Sequence, residues 1–216
     1  MRGRAFLDHL PGGRTIFVNG EPLRLRWRYR GIRSYEPDAW SRLLDPIKPG
    51  ETFVDVGGNI GLYSIAAARR GARVTVFEPD PAAARDLTRH LRLNGTEAVL
   101  IEAAAGAAAG EIRMRLQGDL ESHASATGAP VRCVRLDQTL DDCDILKIDV
   151  EGAELSVLEG AEGLHPHTIL VELHDTDDDQ IRALLERRGY TVEVLLETPL
   201  RARWLARTSA SETEPL

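Results

Sequence analysis

The chain has 216 residues, a length that suits one sizeable α/β domain. Hydrophobic residues make up 43% of it and charged residues 28%, as is ordinary for a globular protein. The formal net charge of −7 argues against general nucleic-acid binding, and no apolar stretch approaches the length of a membrane span. The two cysteines, Cys133 and Cys143, show no metal-binding spacing, and the N-terminus lacks an apolar leader. We therefore expect a cytoplasmic protein without nucleic-acid or membrane partners.

We divide the chain into a lead-in segment (1–35), a main domain (36–207) and a disordered polar tail (208–216). Within the lead-in segment, Leu23–Arg30 alternates apolar residues with arginines, which predicts a strand with one arginine face. That face either discourages edge pairing or forms a rim for a substrate phosphate or carboxylate. The main domain opens with proline and acids at Glu36–Asp38, which predicts the start of a helix.

From residue 52 onward the sequence alternates strand-like and helix-like segments. Predicted strands are Thr52–Val56, Arg73–Phe77, Ala98–Glu102, Glu111–Leu116, Val131–Leu136, Ile145–Ile148, Thr168–Leu173, Tyr190–Leu196 and Arg203–Ala206. Predicted helices are Leu62–Arg69, Pro81–Leu93, Ala153–Leu158 and Asp177–Arg188, with a polar loop at 117–130. This alternation predicts an α/β fold with a mostly parallel sheet, whose ligands bind at the carboxyl ends of the strands.

The most informative segment is residues 52–61, TFVDVGGNIG, where a buried-type strand runs into a glycine turn. Asp55, Gly57 and Gly61 form the spacing Asp-x-Gly-x-x-x-Gly, which differs from the Gly-x-Gly-x-x-Gly that binds a pyrophosphate. A wide glycine turn suits the amino-acid end of S-adenosylmethionine, although an ordinary tight turn is the alternative. Asn59 within the turn either caps the next helix or contacts that end of the cofactor.

Two further strand ends supply candidate cofactor contacts. Glu78 follows the second strand of the alternation, where a carboxylate accepts hydrogen bonds from the ribose hydroxyls of an adenosine. Ala104 follows the third strand and is small enough for an adenine ring to approach the backbone. A nicotinamide cofactor would use the same acid, so it is the glycine turn that favours S-adenosylmethionine.

The segment 144–154, DILKIDVEGAE, is the second strong feature. Lys147 stands among apolar residues of a strand and needs an acidic partner, for which Asp149 or Glu172 is available. Asp149 and Glu151 would form a close carboxylate pair if the strand continued through them, and His174 ends the next strand of the alternation. A histidine there has a pKa suited to removing a proton from an attacking hydroxyl.

In order and spacing, the chain resembles the FkbM family of S-adenosylmethionine-dependent methyltransferases over roughly residues 35–175. The Lys-Ile-Asp-x-Glu-Gly block is the part most specific to that family. One departure is Gly58, where the family usually has alanine. The resemblance rests on six blocks of sequence: 53–61 FVDVGGNIG, 77–79 FEP, 93–94 LN, 136–137 LD, 146–154 LKIDVEGAE and 170–174 LVELH.

The resemblance implies a Rossmann-like class I methyltransferase fold with a seven-stranded sheet, and methyl transfer to oxygen on a sugar, a polyketide or another small metabolite. By that resemblance, Asp55, Gly57, Asn59, Gly61 and Glu78 would hold the cofactor, and Asp149, Glu151 and His174 would face the methyl group and the acceptor. From their positions in the chain we add Ala104 and Asp149 to the cofactor contacts, and His123 and Tyr35 to the acceptor contacts.

We therefore predict an O-methyltransferase that acts by direct displacement on a hydroxyl of a small acceptor. His174, or Asp149 in its place, takes the proton, and Lys147 organises the carboxylates. Mg²⁺ at Asp149 and Glu151 is an option, as is a homodimer through the lead-in segment, but neither belongs to the main prediction. The alternatives are a nicotinamide-dependent oxidoreductase and a non-catalytic scaffold with the same fold.

Overall fold

The computed structural model describes residues 13–116, 123–124, 127–174, 178–199 and 201–209. The predicted polar tail, apart from its first two residues, lies outside them. None of the helices in these ranges is both long and apolar enough to span a bilayer. The helices are α1 (Pro37–Leu44), α2 (Leu62–Arg69), α3 (Pro81–Asn94), α4 (Glu154–Glu159) and α5 (Asp178–Arg187). The strands are β1 (Arg14–Val18), β2 (Glu21–Leu25), β3 (Thr52–Val56), β4 (Arg73–Phe77), β5 (Val99–Ile101), β6 (Ala104–Ala105), β7 (Gly110–Arg115), β8 (His123–Ala124), β9 (Ala129–Val134), β10 (Ile145–Ile148), β11 (Thr168–His174), β12 (Tyr190–Glu197) and β13 (Arg201–Thr208).

Seven strands form the central sheet, in the order β5-β4-β3-β10-β11-β13-β12. The first five run parallel, and β13 enters antiparallel between β11 and β12. Neighbouring parallel strands are linked through helices, so the sheet carries a separate hydrophobic cluster on each face. The predicted α/β fold with a mostly parallel seven-stranded sheet is confirmed. The loops after β3, β4 and β10 therefore meet at one edge of the sheet.

A smaller sheet, in the order β6-β9-β7-β8, stands beside the central one. It corrects the prediction of a loop throughout 117–130, because 123–124 and 129–130 pair as strands. The strand predicted at Val131–Leu136 begins earlier and ends at Val134, and a short 3₁₀ helix follows at Leu136–Gln138.

The lead-in segment forms a hairpin of β1 and β2 rather than one long strand. Asn19 and Gly20 both have positive φ at its turn, which is the backbone that an Asn-Gly pair favours. The strand predicted over Leu23–Arg30 is wrong beyond Leu25, because a 3₁₀ helix occupies Trp27–Tyr29. Leu23 and Leu25 are fully buried in the same cluster as residues of β3 and α3.

The arginines of this segment hold the hairpin to helix α3. Arg26 and Arg28 both form ion pairs with Asp86, whose side chain is 3% exposed, and the Tyr29 hydroxyl donates to the same carboxylate. His90 of α3 accepts from the Arg26 backbone N–H through Nε2, and its Nδ1 contacts the Ile60 carbonyl oxygen. The ion pairs of Arg26 and Arg28 with Asp86 therefore anchor the hairpin, which favours a structural role over the substrate rim considered above.

Candidate active site

The glycine turn after β3 is held close to the neighbouring strand ends. Gly57 and Gly61 have φ of 78° and 86°, and Asn59 has φ of 46°. The N–H groups of Gly57 and Gly58 donate to the Phe77 carbonyl oxygen at the end of β4. A Cβ atom on Gly57 would overlap the carbonyl oxygen of Asp149, so only glycine lets the ends of β3 and β10 approach this closely.

Gly58 is equally confined, although its φ is not positive. A Cβ atom there would overlap Cγ1 of Val76 in β4. The alanine usual in the resembled family would therefore need a smaller or shifted side chain at position 76. The turn of this chain is therefore tightly packed at Gly58.

Glu78 is buried against the glycine turn. Its Oε2 accepts from the Asn59 N–H at 2.7 Å, and its Oε1 accepts from the Asp80 N–H at 2.8 Å. Burial raises the pKa of Glu78 to about 7, although these two hydrogen bonds act to lower it. The carboxylate is thereby fixed beside the turn, and its remaining lone pairs are suited to accepting ligand hydroxyls.

A cavity of about 180 Å³ opens beside the turn. One of its polar atoms, the buried Asn59 Oδ1, has no hydrogen-bond partner among the described residues. An unmet acceptor beside a buried aspartate fits a ligand that brings a cationic donor, such as the ammonium of an amino acid. The cavity is lined by Tyr29, Ile32, Tyr35, Asp55, Gly57, Gly58, Asn59, Ile60, Leu62, Tyr63 and Lys147.

Lys147 links the cavity to the end of β10. Its Nζ lies 3.3 Å from Asp55 Oδ1 and 3.5 Å from Asp149 Oδ2, and its side chain is 4% exposed. Asp55 also accepts from the Ser64 hydroxyl at 2.5 Å. Burial alone would lower the pKa of Lys147, but the charges of Asp55, Asp149 and Glu36 outweigh it and raise that pKa. Lys147 is therefore a cation that holds two carboxylates in place.

Arg203 of β13 gathers three acids from separate elements. Its guanidinium lies 2.8 Å from Glu172 Oε2, 2.7 Å from Asp38 Oδ2 and 3.6 Å from Glu36 Oε2. Burial would raise the pKa of Glu172, but the hydrogen bond and charge of Arg203 hold it below its usual range. This network ties α1 to the ends of β11 and β13, beside Asp149.

His174 is surrounded by acids. Nδ1 lies 3.1 Å from Oε1 of the buried Glu154, and Nε2 lies 3.6 Å from Glu151 and 3.7 Å from Glu172. Burial would lower the pKa of His174, but Glu154, Glu151 and Asp149 raise it to about 9. A raised pKa favours the protonated imidazolium at neutral pH, which argues against His174 as the base without testing that prediction.

The structure thus brings most of the predicted site residues together and places Ala104 elsewhere. Ala104 packs its side chain with Met114, Val131 and Cys133 in the small sheet, away from the cavity lining. The His123 backbone pairs with Arg115 in β8, but its side chain lies outside the described part of the chain. The residues brought to one edge of the sheet are Tyr35, Asp55, Gly57, Asn59, Gly61, Glu78, Lys147, Asp149, Glu151 and His174.

Sequence reasoning missed four residues of this region, namely Glu36, Tyr63, Glu154 and Arg203. Tyr63 donates its hydroxyl to Glu36 at 2.8 Å, and Glu154 accepts from the Gly152 N–H at 2.9 Å. Glu154 ends the segment 144–154 that the sequence singles out, but its burial is known only from the structure. No local signal pointed to the other three, because strand order and helix placement bring them here.

The carboxylates of this edge already have cations as neighbours, namely Lys147, Arg203 and His174. The option of Mg²⁺ at Asp149 and Glu151 gains no support. The positive charge beside these carboxylates therefore comes from side chains of the protein.

Comparison with known proteins gives this geometry a family. Methyltransferase sdnD of Sordaria araneosa is 29% identical, over 72% of this chain and 78% of that protein. Hexuronic acid methyltransferase AglP of Haloferax volcanii is 26% identical, over 78% of this chain and 74% of that protein. An rRNA methyltransferase of T. thermophilus, solved with AdoMet and guanosine, aligns with a TM-score of 0.55 at 15% identity, over 90% of this chain and 50% of that one. The methyltransferase FkbM domain matches residues 55–192, and the chain therefore belongs to the FkbM methyltransferase family.

Proposed function

We propose that this methyltransferase transfers a methyl group from S-adenosylmethionine to a hydroxyl oxygen of a small metabolite or sugar. The observation that carries the proposal is the meeting of the glycine turn, Glu78 and Asp149 at one edge of the sheet, beside a cavity with an unmet acceptor. The T. thermophilus protein of the same fold was solved with AdoMet, which supports the choice of cofactor.

The cofactor would lie along the ends of β3 and β4. Asp55 and Asn59 Oδ1 would receive its ammonium, and Glu78 would accept from its ribose hydroxyls. Gly57 and Gly61 supply the positive φ on which this turn is built, and Gly57 also lets it pack against the end of β10. When bound, the cofactor supplies an electrophilic methyl group, so the protein needs only to align an acceptor and receive its proton.

The acceptor would lie on the side of Asp149, Glu151 and Tyr35. Their oxygens can accept from or donate to hydroxyl groups, which suits a hydroxylated molecule. AglP is a hexuronic acid methyltransferase, and this printed activity supports sugars as one class of acceptor to test. The cytoplasmic location and the homodimer stay predictions.

Calorimetry with S-adenosylhomocysteine and with NAD tests the cofactor. We expect binding of the former alone, and a loss of affinity of roughly 10- to 100-fold in Glu78→Ala, because hydrogen bonds to a charged group are lost. Glu21→Ala is the matched control, since Glu21 pairs with Arg70 and Trp40 and does not line the cavity. Tight NAD binding, or unchanged affinity in Glu78→Ala, would contradict the proposal.

The acceptor is tested by mass spectrometry. Panels of sugars, uronic acids and hydroxylated metabolites are incubated with protein and S-adenosylmethionine, and we look for the gain of one CH₂ unit. Tandem spectra then locate the methyl group on oxygen, carbon or nitrogen. A product methylated on nitrogen or carbon would keep the family and overturn the proposed O-methyl transfer.

A further inference from the structure

We propose that Glu36 is the residue that receives the proton of the acceptor hydroxyl. This inference rests on the proposed function and names a catalytic residue for it. Glu36 immediately precedes helix α1, at the junction of the lead-in segment with the main domain. Its side chain lies among the carboxylates at the end of β10 and β11.

Glu36 is held in a specific and costly conformation. Its φ of 45° lies in the left-handed region, which a residue with a side chain rarely adopts. Such strain is kept where the surroundings over-determine the residue, and it is concentrated at functional sites. Here the Tyr63 hydroxyl donates to Oε2 at 2.8 Å, and Arg203 Nε lies 3.6 Å from the same oxygen.

The second oxygen of Glu36 is available. Within the described part of the chain, no hydrogen bond to Oε1 is formed, although the side chain is only 9% exposed. Oxygens of Glu36, Asp149 and Glu172 lie within 4.8 Å of one another. Tyr35 precedes Glu36 in the sequence, and Tyr63 donates its hydroxyl to Glu36. Both tyrosines line the cavity. An acceptor hydroxyl beside Asp149 would therefore meet a carboxylate oxygen that has no other donor.

The charges around Glu36 suit a base that works near neutral pH. Burial and the charges of Asp149 and Glu172 raise the pKa of Glu36 to about 7, while Lys147 and Arg203 oppose them. The other groups that face it are Tyr35, Tyr63 of α2 and Asp38 of α1, and Asp38 is engaged by Arg203. His174 is a cation and Glu172 is neutralised by Arg203, so neither competes for this role.

The proposed step balances without a further reactant. The acceptor oxygen forms a bond to the methyl carbon while the bond from that carbon to sulfur breaks. The electron pair of the broken bond stays on sulfur, which loses its positive charge. The hydroxyl proton passes to Oε1 of Glu36, so the carboxylate becomes a carboxylic acid and later releases the proton to solvent.

The first experiment needs no acceptor. Carboxyl resonances of ¹³C-labelled glutamate are titrated by NMR in the complex with S-adenosylhomocysteine, for the wild type, Glu36→Gln and Glu21→Gln. We expect a resonance with a midpoint near neutral pH that disappears in Glu36→Gln and persists in Glu21→Gln. Calorimetry on the same samples should show that Glu36→Gln binds S-adenosylhomocysteine within roughly threefold of the wild type.

The second experiment uses the hydroxylated compound that gains a methyl group in the mass-spectrometric panel. We expect Glu36→Gln to lower kcat by roughly 10²- to 10⁴-fold, the usual contribution of general-base catalysis, and to remove the acidic limb of the pH profile. Glu36→Asp, which keeps a carboxylate, should retain part of the rate and that limb. Glu21→Gln should match the wild type.

The outcomes separate the two proposals. A wild type that binds no S-adenosylhomocysteine overturns the proposed function itself. A wild type that binds it but shows no glutamate resonance assignable to Glu36 near neutral pH overturns the role of Glu36 alone, even if Glu36→Gln fails to fold. An unchanged pH profile in an active Glu36→Gln does the same.

Discussion

Gly57 shows how one missing side chain shapes the site. Its backbone has φ of 78°, and the carbonyl oxygen of Asp149 occupies the place where a Cβ would be. Two separate costs therefore oppose a side chain at this position, namely a left-handed backbone and a steric overlap. The sequence motif predicted the first cost, but the second depends on how closely β10 approaches β3.

Gly57→Ala should therefore destabilise the protein by more than the backbone cost of about 1–2 kcal/mol, and should abolish S-adenosylhomocysteine binding. Gly95→Ala is the matched control, because Gly95 has φ of 65° and open space around its Cβ position. Urea unfolding measures both free energies. Equal destabilisation in the two variants would show that the overlap with Asp149 is relieved at no cost.

His174 makes stability depend on pH. Its pKa is raised from 6.5 to about 9 in the folded protein, so its contribution is complete below pH 6.5 and is lost as the pH rises through 9. His174→Gln should lower the free energy of unfolding by up to about 3 kcal/mol at about pH 6, and by much less at about pH 9.5. Urea unfolding at the two pH values gives both differences.

His165→Gln is the control for this pH dependence, since that side chain is 79% exposed. A penalty for His174→Gln that is the same at both pH values would show that its acidic neighbours do not stabilise the imidazolium.

At the scale of elements, the contrast between the central sheet and the lead-in segment is instructive. Strands β3, β4 and β10 have the bounds that their apolar runs predict, because glycine, proline or acids end each run. The alternation of Leu23–Arg30 predicted a strand, but the chain turns at Trp27. Two arginines converge there on Asp86, an attraction between distant segments that periodicity cannot reveal. The Asn19-Gly20 pair was a local signal for the hairpin that the prediction overlooked.

Asp86→Asn should loosen the hairpin from helix α3. It leaves two arginines without their buried counter-charge, and we expect a loss of roughly 2–4 kcal/mol in the free energy of unfolding. Hydrogen exchange should increase first in the lead-in segment. The control is Glu193→Gln, whose pair with Arg42 is 44% exposed on each side and should contribute less than about 0.5 kcal/mol. An Asp86→Asn variant with unchanged free energy of unfolding and unchanged hydrogen exchange would contradict the anchoring role.

At the scale of the whole molecule, one hydrophobic cluster contains residues of both the lead-in segment and the main domain. Leu23 is buried in the cluster that also contains Phe53 and Leu87. The sequence predicted which strand ends carry polar groups, since each follows an apolar run. It could not predict Arg203 among them, because insertion of β13 between β11 and β12 is a property of strand order.

Leu23→Ala should therefore lower the stability of the entire chain by roughly 2–5 kcal/mol, in one cooperative transition. Phe17→Ala in the same hairpin should change it by less than about 0.5 kcal/mol, because Phe17 is 60% exposed. Fluorescence and circular dichroism followed during urea unfolding test both variants. Separate transitions in the wild type would show instead that the hairpin unfolds independently.

The position of Arg203 has a consequence for biosynthesis. On the ribosome, helix α1, the glycine turn and strand β11 emerge well before β13, so a nascent chain displays Glu36, Asp38 and Glu172 without the guanidinium that gathers them. Until that strand is translated and inserted, these acids repel one another and helix α1 has no electrostatic tie to the sheet. Products of premature termination would carry the signature motifs of the family and yet lack an assembled site.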